Sequence, residues 1–133
     1  MEVCNFEIAK KLKEKGFKDL CFSYYTNTND LYFNYSHKAG AKYSDCYFSH
    51  NLMPKDSVSG KFVDAPTISQ VLKWLREEKH LHIHIEYIFS EDTLWICEVQ
   101  ILGSYERFYP DGDFNSYEEA AIAGIKYVLD NLI

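Results

Sequence analysis

Apolar and polar residues alternate along the chain in patterns that predict three helices and five strands. Helical spacing of apolar residues occurs in residues 5–15, within 65–79, and from Ser116 to the end of the sequence. Asn5 and Ser116 are expected N-caps, and Gly16 an expected left-handed stop. Strand-like runs occupy residues 20–25, 31–36, 43–49, 81–89 and 94–102. The turn-rich residues 26–30 predict a hairpin, and residues 51–64 a surface loop.

This order of elements, αββ(β)–αββ–α, predicts an α+β fold in which helices pack on one face of an antiparallel sheet. A chain of 133 residues is long enough to bury a core and is expected to form a single domain, 1–133. Residues 9–35 align without a gap on residues 72–98, and both read helix, strand, turn, strand. The alignment indicates either an internal αββ repeat or two amphipathic units that match by chance.

The strongest chemical signal is the segment HLHIHIEY, residues 80–87. Strand alternation would place His80, His82, His84 and Glu86 on one face, with same-face neighbours about 6.6–6.8 Å apart. Two imidazoles at that spacing can bind one zinc ion, and Glu86 could complete or orient the set. The alternative is that these residues form the solvated face of a sheet whose other face is covered by helices.

A zinc enzyme would need a third protein ligand and an open coordination position for water. Candidates for that ligand are His37, Asp45, Cys46 and His50. The sequence has no nucleophile elbow, phosphate-binding loop or dinucleotide-binding fingerprint. A non-enzymatic protein is therefore the first expectation, and a metal-dependent hydrolase that uses His80, His82 and His84 is the alternative.

The distribution of charge narrows the class of partner. The net charge is −6, and residues 81–133 hold 2 Lys/Arg against 10 Asp/Glu. Such a surface repels phosphate backbones, so nucleic acid is not an expected partner. The basic cluster on the first helix is typical of a solvated helix face; its members are Lys10, Lys11, Lys13, Lys15 and Lys18. A further hypothesis is an acidic decoy that binds a nucleic-acid-binding host protein.

Four cysteines without a C-x-x-C spacing are expected to be reduced thiols, with Cys21 and Cys97 buried in strands. The sequence contains no signal-peptide pattern and no apolar run of about 20 residues. We therefore expect a cytoplasmic protein that does not enter a membrane.

Tyrosine is abundant, with 11 residues in the chain. Tyrosine is enriched at the centres of protein interfaces, and strand alternation leaves one sheet face open. The expected binding residues are Tyr24, Tyr32, Tyr35, Tyr43 and Tyr47. Cross-strand packing within the sheet explains the same residues equally well. The expected partner is another protein, or a second copy in a dimer.

Three segments carry a resemblance: APTISQVLKWLREEKHLHIHI, LWICEV and SYEEAAIAGIKYVLDNLI. Together they resemble a group of short uncharacterised proteins encoded by phages and mobile elements of gut anaerobic bacteria. The likeness is greatest in the second half of the chain, and its motifs are capping and packing patterns. The resemblance implies the same order of elements and a phage-related setting, and it transfers no functional residue.

Overall fold

A computed structural model describes residues 2–34, 46–89 and 94–133, which divide between two compact units, Met1–Thr67 and Ile68–Ile133. The described helices are α1 (Phe6–Glu14), α2 (Ile68–Glu78) and α3 (Tyr117–Asn131). The described strands are β1 (Ser23–Tyr25), β2 (Leu31–Phe33), β3 (Val63–Asp64), β4 (Leu81–Tyr87), β5 (Trp95–Ile101) and β6 (Arg107–Phe108). The predicted α+β class is confirmed. That the two units make one domain stays a prediction.

In the first unit, α1 packs against one face of an antiparallel sheet ordered β2-β1-β3. The Asn5 side chain accepts a hydrogen bond from the amide of Ile8, as its predicted N-cap role requires. Tyr25 is buried on the α1 side of the sheet, where its ring meets Phe6 edge-on and its hydroxyl donates to the carbonyl of Cys4 at 2.6 Å. These contacts fix β1 to the N-terminal helix.

The third strand of this sheet differs from the prediction. Residues 43–45 of the predicted strand lie outside the described residues, and Phe48 forms only an isolated bridge with Cys21. The strand that pairs with β1 is β3, inside the predicted loop 51–64. Val63 and Asp64 are both buried, 7% and 0% exposed. A buried aspartate gives no strand signal in the sequence, which is why β3 was missed.

In the second unit, α2 and α3 pack on a sheet ordered β4-β5-β6. β4 and β5 pair antiparallel over seven residues, from Leu81 with Ile101 to Tyr87 with Trp95. The buried sheet residues are Leu81, Ile83, Cys97 and Val99. The side chain of Ser116 accepts a hydrogen bond from the amide of Glu119, which confirms the predicted cap of α3.

The two units share the order helix, strand, strand, strand, but they place the third strand differently. β3 pairs with β1, the first strand of its unit, whereas β6 pairs with β5, the second strand of its unit. The aligned αββ segments therefore correspond in element order, and the sheets built around them have different strand orders.

Gly124 on α3 permits a close approach of helix and sheet in the second unit. A Cβ atom there would lie 2.6 Å from Cys97 Sγ and 2.8 Å from Ile83 Cγ2. We expect Gly124→Ala to lower the free energy of unfolding by about 1–3 kcal/mol, because overpacking exceeds the gain of about 1 kcal/mol in helix propensity. Urea unfolding measures this difference.

The matched control is Lys126→Ala on the exposed side of the same helix, which should change stability little. Combining Gly124→Ala with Cys97→Ala removes the atom in closest contact. The double variant should lose less stability than the sum of the two single losses. Additive losses would contradict a steric origin.

Candidate functional site

The predicted tyrosine surface is in part an aromatic layer. Tyr24 and Tyr32 are cross-strand partners whose rings stack at 5.9 Å, and Tyr24 also stacks on Phe62 at 5.0 Å. Tyr47 lies 5.9 Å from the ring of Phe22. Tyr35 and Tyr43 lie outside the described residues. Of the three tyrosines in the predicted set that the structure describes, Tyr32 is the one with a strongly exposed side chain, at 50%.

The segment from Ser49 to Phe62 covers the Tyr24 face of the first sheet, opposite α1. The imidazole of His50 lies 4.3 Å from the Tyr24 ring, 4.7 Å from Phe48 and 5.5 Å from Phe62. His50 is only 8% exposed. The face that alternation predicted to be open is therefore closed around Tyr24 by this segment, and the solvent-facing aromatic surface begins at β2.

A buried carboxylate fixes this covering segment. Asp64 accepts hydrogen bonds from the amides of His50 and Asn51, at 3.1 and 3.0 Å, and from the Ser49 hydroxyl at 3.4 Å. Its own amide donates to Oδ1 of Asn51 at 3.1 Å. Burial raises the pKa of Asp64, while these three donors and the ammonium of Lys13 offset part of that rise.

Lys13 joins α1 to the same segment. Its ammonium donates to the carbonyls of Gly60 and Phe62, at 2.8 and 2.9 Å. The pKa of Lys13 is lowered, mainly by burial and to a smaller extent by the charge of Lys55, while the charge of Asp64 acts in the opposite direction. Lys13 thus has a structural role, whereas the lysine pattern predicted that it would lie on a solvated helix face.

Hydrogen bonds hold the His50 ring in one neutral tautomer. Asn34 donates through Nδ2 to the carbonyl of Cys21, so its Oδ1 is the acceptor for His50 Nε2–H at 2.9 Å. Nδ1 then accepts from the Ser59 hydroxyl at 2.6 Å. Burial, and secondly Lys13, lower the pKa of His50 to about 4, so the ring is uncharged at neutral pH.

Ser59, His50 and Asn34 have the connectivity of a nucleophile, a base and an orienting group. The surroundings do not suit catalysis, because an imidazole with a pKa near 4 is a weak base at neutral pH. The amides of Gly60 and Phe62 already donate to Ser57 Oγ and to the Ser59 carbonyl, which removes them as oxyanion donors. This relay locks the segment in place.

The histidine segment of the second unit is only partly a strand face. His80 precedes β4 in the left-handed region, with φ of 56°, and is a turn residue between α2 and β4. His82 and His84 lie side by side on the face opposite Ile83, with ring centroids 6.3 Å apart. His84 Nε2 is 3.7 Å from the Glu86 carboxylate.

The nearest cross-strand acid on that face is already engaged. Glu98 pairs with His84 in register, and its carboxylate forms an ion pair with Arg107 at 3.0 Å. Burial, Arg76 and His84 lower the pKa of His82, against the opposing effect of Glu98. Within the described ranges, no group of three or more His, Cys, Asp or Glu side chains is placed to hold a metal ion. His37 and Asp45 lie outside those ranges, and zinc binding by His82, His84 and Glu86 stays a prediction.

Of the strands that the structure describes, β2 lies at one edge of the first sheet and exposes three apolar side chains. Its residues Leu31, Tyr32 and Phe33 are 40%, 50% and 53% exposed. The cross-strand pairs Phe22–Asn34 and Thr26–Asp30 are joined by backbone hydrogen bonds. In an antiparallel ladder every second pair is hydrogen-bonded, so the pair midway between them, Tyr24–Tyr32, is hydrogen-bonded too. The N–H and C=O groups of Leu31 and Phe33 therefore point away from β1. No strand among the described residues pairs with this edge.

Comparison of the chain with protein-family models, with curated proteins and with solved structures found no match. No helix among the described residues is long and apolar enough to cross a membrane. The four cysteines are free; Cys21 and Cys97 are buried as predicted, and burial raises the pKa of Cys97 to about 11. Buried thiols with raised pKa values are poor nucleophiles.

Sequence reasoning missed Leu31 and Phe33 as surface residues and missed the whole Asp64 network. Three successive apolar residues beside a turn, without alternation, were the available signal for an exposed edge. The members of the network, Asn34, His50, Ser59 and Asp64, are polar residues at irregular spacing, which no periodicity marks.

Asp64→Asn should destabilise the protein strongly. One of the two carboxylate oxygens would become an NH2 group, which would place a donor opposite the backbone donor of either His50 or Asn51. The substitution would also remove the charge near Lys13. We expect a loss of about 2–4 kcal/mol in the free energy of unfolding. Asp56→Asn, at an exposed position, is the control and should change stability by less than about 0.5 kcal/mol. An equally small loss in Asp64→Asn would contradict the role assigned to the carboxylate.

The neutral His50 should make stability depend on pH. On acidification the unfolded chain binds a proton at His50 near pH 6.5, whereas the folded state binds it only near pH 4. The contribution of neutral His50 to the free energy of unfolding is therefore complete above about pH 6.5 and is lost as the pH falls toward 4. The stability advantage of wild type over His50→Gln should therefore shrink by about 1–2 kcal/mol between about pH 7 and pH 5.

Urea unfolding at both pH values measures this change. The raised pKa of Asp64 acts in the opposite direction, but it is present in both proteins and cancels in the difference. His80→Asn, at an exposed turn position that tolerates asparagine, is measured alongside as the matched control. A constant difference between wild type and His50→Gln would show that His50 titrates alike in both states.

Proposed function

We propose that the chain is a protein-binding protein whose contact is strand addition to the outer edge of β2. The observation that supports this is the outward direction of the backbone groups of Leu31 and Phe33, combined with the exposure of all three β2 side chains. A partner strand would bond to the backbone groups, and the alternate side chains would give specificity.

The neighbouring aromatic residues suit such a contact. Tyr32 stacks on Tyr24, and Phe33 lies 5.5 Å from Phe22. Each exposed ring is thus held by a second ring in the same sheet, so less side-chain conformational entropy would be lost on binding. Edge strands in proteins that avoid pairing usually carry lysine, proline or a bulge, and β2 has none of these. In this proposal Tyr32 keeps its predicted role as a binding residue, and Leu31 and Phe33 are added to the binding surface.

The partner in this proposal is an extended segment of another protein. The resemblance to phage and mobile-element proteins would make it a host protein, met in the cytoplasm. Four unpaired thiols fit a reducing compartment. A second copy of the chain is the alternative occupant, with two β2 edges paired antiparallel.

Photo-crosslinking tests the contact in the native cell. A benzophenone amino acid replaces Tyr32 in one variant and Tyr105, which is 100% exposed in the second unit, in the other. The Tyr32 position should give a discrete cross-linked species, and the Tyr105 position should not. A species of twice the chain mass would identify the partner as a second copy. Equal products from both positions would contradict the proposal.

Two substitutions at Phe33 separate backbone from side chain. Phe33→Pro removes the outward N–H without removing a bond to β1, whereas Phe33→Thr removes the ring and keeps the N–H. We expect cross-linking at Tyr32 to fall by about tenfold more in the proline variant than in the threonine variant. Equal losses would mean that side chains alone make the contact, and strand addition would be rejected.

A further inference from the structure

A cavity rich in lysine lies in the first unit, between α1 and residues 55–63. It has a volume of about 310 Å³ and is lined by Lys10, Lys13, Glu14, Lys55 and Val63. This volume is at the lower end of the range of small-ligand sites. Three lysines and one glutamate are among the lining residues, which gives the lining a formal charge of +2 in a chain whose net charge is −6.

The lysines differ in mobility and in how far their charges are already balanced. Lys13 is held by two carbonyl acceptors, which leaves one of its three N–H donors for another acceptor. Lys10 pairs with Glu7 at 3.1 Å and lies over the Phe6 ring. Lys55 is an exposed residue that is close enough to Lys13 to repel its charge. The cavity thus has one fixed and two adjustable cations.

We propose that this cavity binds a small phosphate-bearing anion, with Lys13 as the fixed donor and Lys10 and Lys55 closing over it. A phosphate dianion beside Lys13 and Lys55 would separate two ammonium groups that repel each other, and it would add to the attraction that the buried Asp64 already exerts on Lys13. Lysine binds phosphate as a mobile point charge, and the arrangement of one anchored and two mobile ammonium groups suits that mode.

The geometry favours a small ligand over a phosphate polymer. The cavity is local, Glu14 forms part of its wall, and the acidic balance of the chain repels an extended phosphate backbone. A single phosphate or diphosphate group needs only the local potential of the three lysines. This site is independent of the β2 edge and does not rest on the proposed protein contact.

Amide chemical shifts of the ¹⁵N-labelled protein, titrated at constant ionic strength, test the proposal. The probes are inorganic phosphate, pyrophosphate and a short single-stranded oligonucleotide. Pyrophosphate should give saturable shifts at Lys10, Lys13, Lys55 and Val63 below about 10 mM, with phosphate weaker. No saturable shift at these residues with either anion would overturn the proposal.

Variants assign the binding to the cavity. Lys55→Gln should weaken pyrophosphate binding by about tenfold, and Lys55→Arg should restore most of it. Lys18→Gln, at an exposed lysine that does not line the cavity, should leave binding within about twofold. Equal weakening in Lys55→Gln and Lys18→Gln would show that binding depends on the overall charge of the protein and would contradict a site in the cavity. An oligonucleotide that binds about tenfold more tightly than pyrophosphate would overturn the small-ligand assignment.

Discussion

The first unit depends on one buried carboxylate. Asp64 is inaccessible to solvent and gathers two backbone amides and a hydroxyl from the segment at Ser49–Asn51, close to the charge of Lys13. A buried charge is tolerated only when it is well satisfied, and here its donors come from the segment that covers the sheet. This interaction decides which aromatic residues are covered and which remain for contact.

The position of the covering segment determines which parts of the first sheet are buried and which are exposed. The segment anchored by Asp64 places His50 and Phe62 against Tyr24 and so covers the sheet face around that residue. Among the described residues the same sheet ends at β2, where Leu31 and Phe33 direct backbone groups outward. The exposed apolar surface of the described part of this sheet is accordingly an edge strip of three residues. The lysine cavity is a separate consequence of anchoring Lys13 beneath the segment.

The parts of the fold that depend on local sequence were predictable. The caps at Asn5 and Ser116 and the long β4–β5 pair follow from short-range spacing, and each occurs as predicted. β3 was not predictable, because its pairing with β1 depends on Asp64, whose partners lie 13 to 15 residues earlier in the chain. His80 was misplaced on the strand face because alternation does not reveal a left-handed turn residue. The outward edge of β2 required the register, which no local pattern supplies.

Amide hydrogen exchange of the free protein, resolved at residues 31–33, tests the central claim that the β2 edge is open. The account predicts that the Leu31 and Phe33 amides exchange fast and that the intervening Tyr32 amide, bonded to β1, exchanges at least about tenfold more slowly. Slow exchange at all three amides would contradict it, because the outer edge would then already be paired.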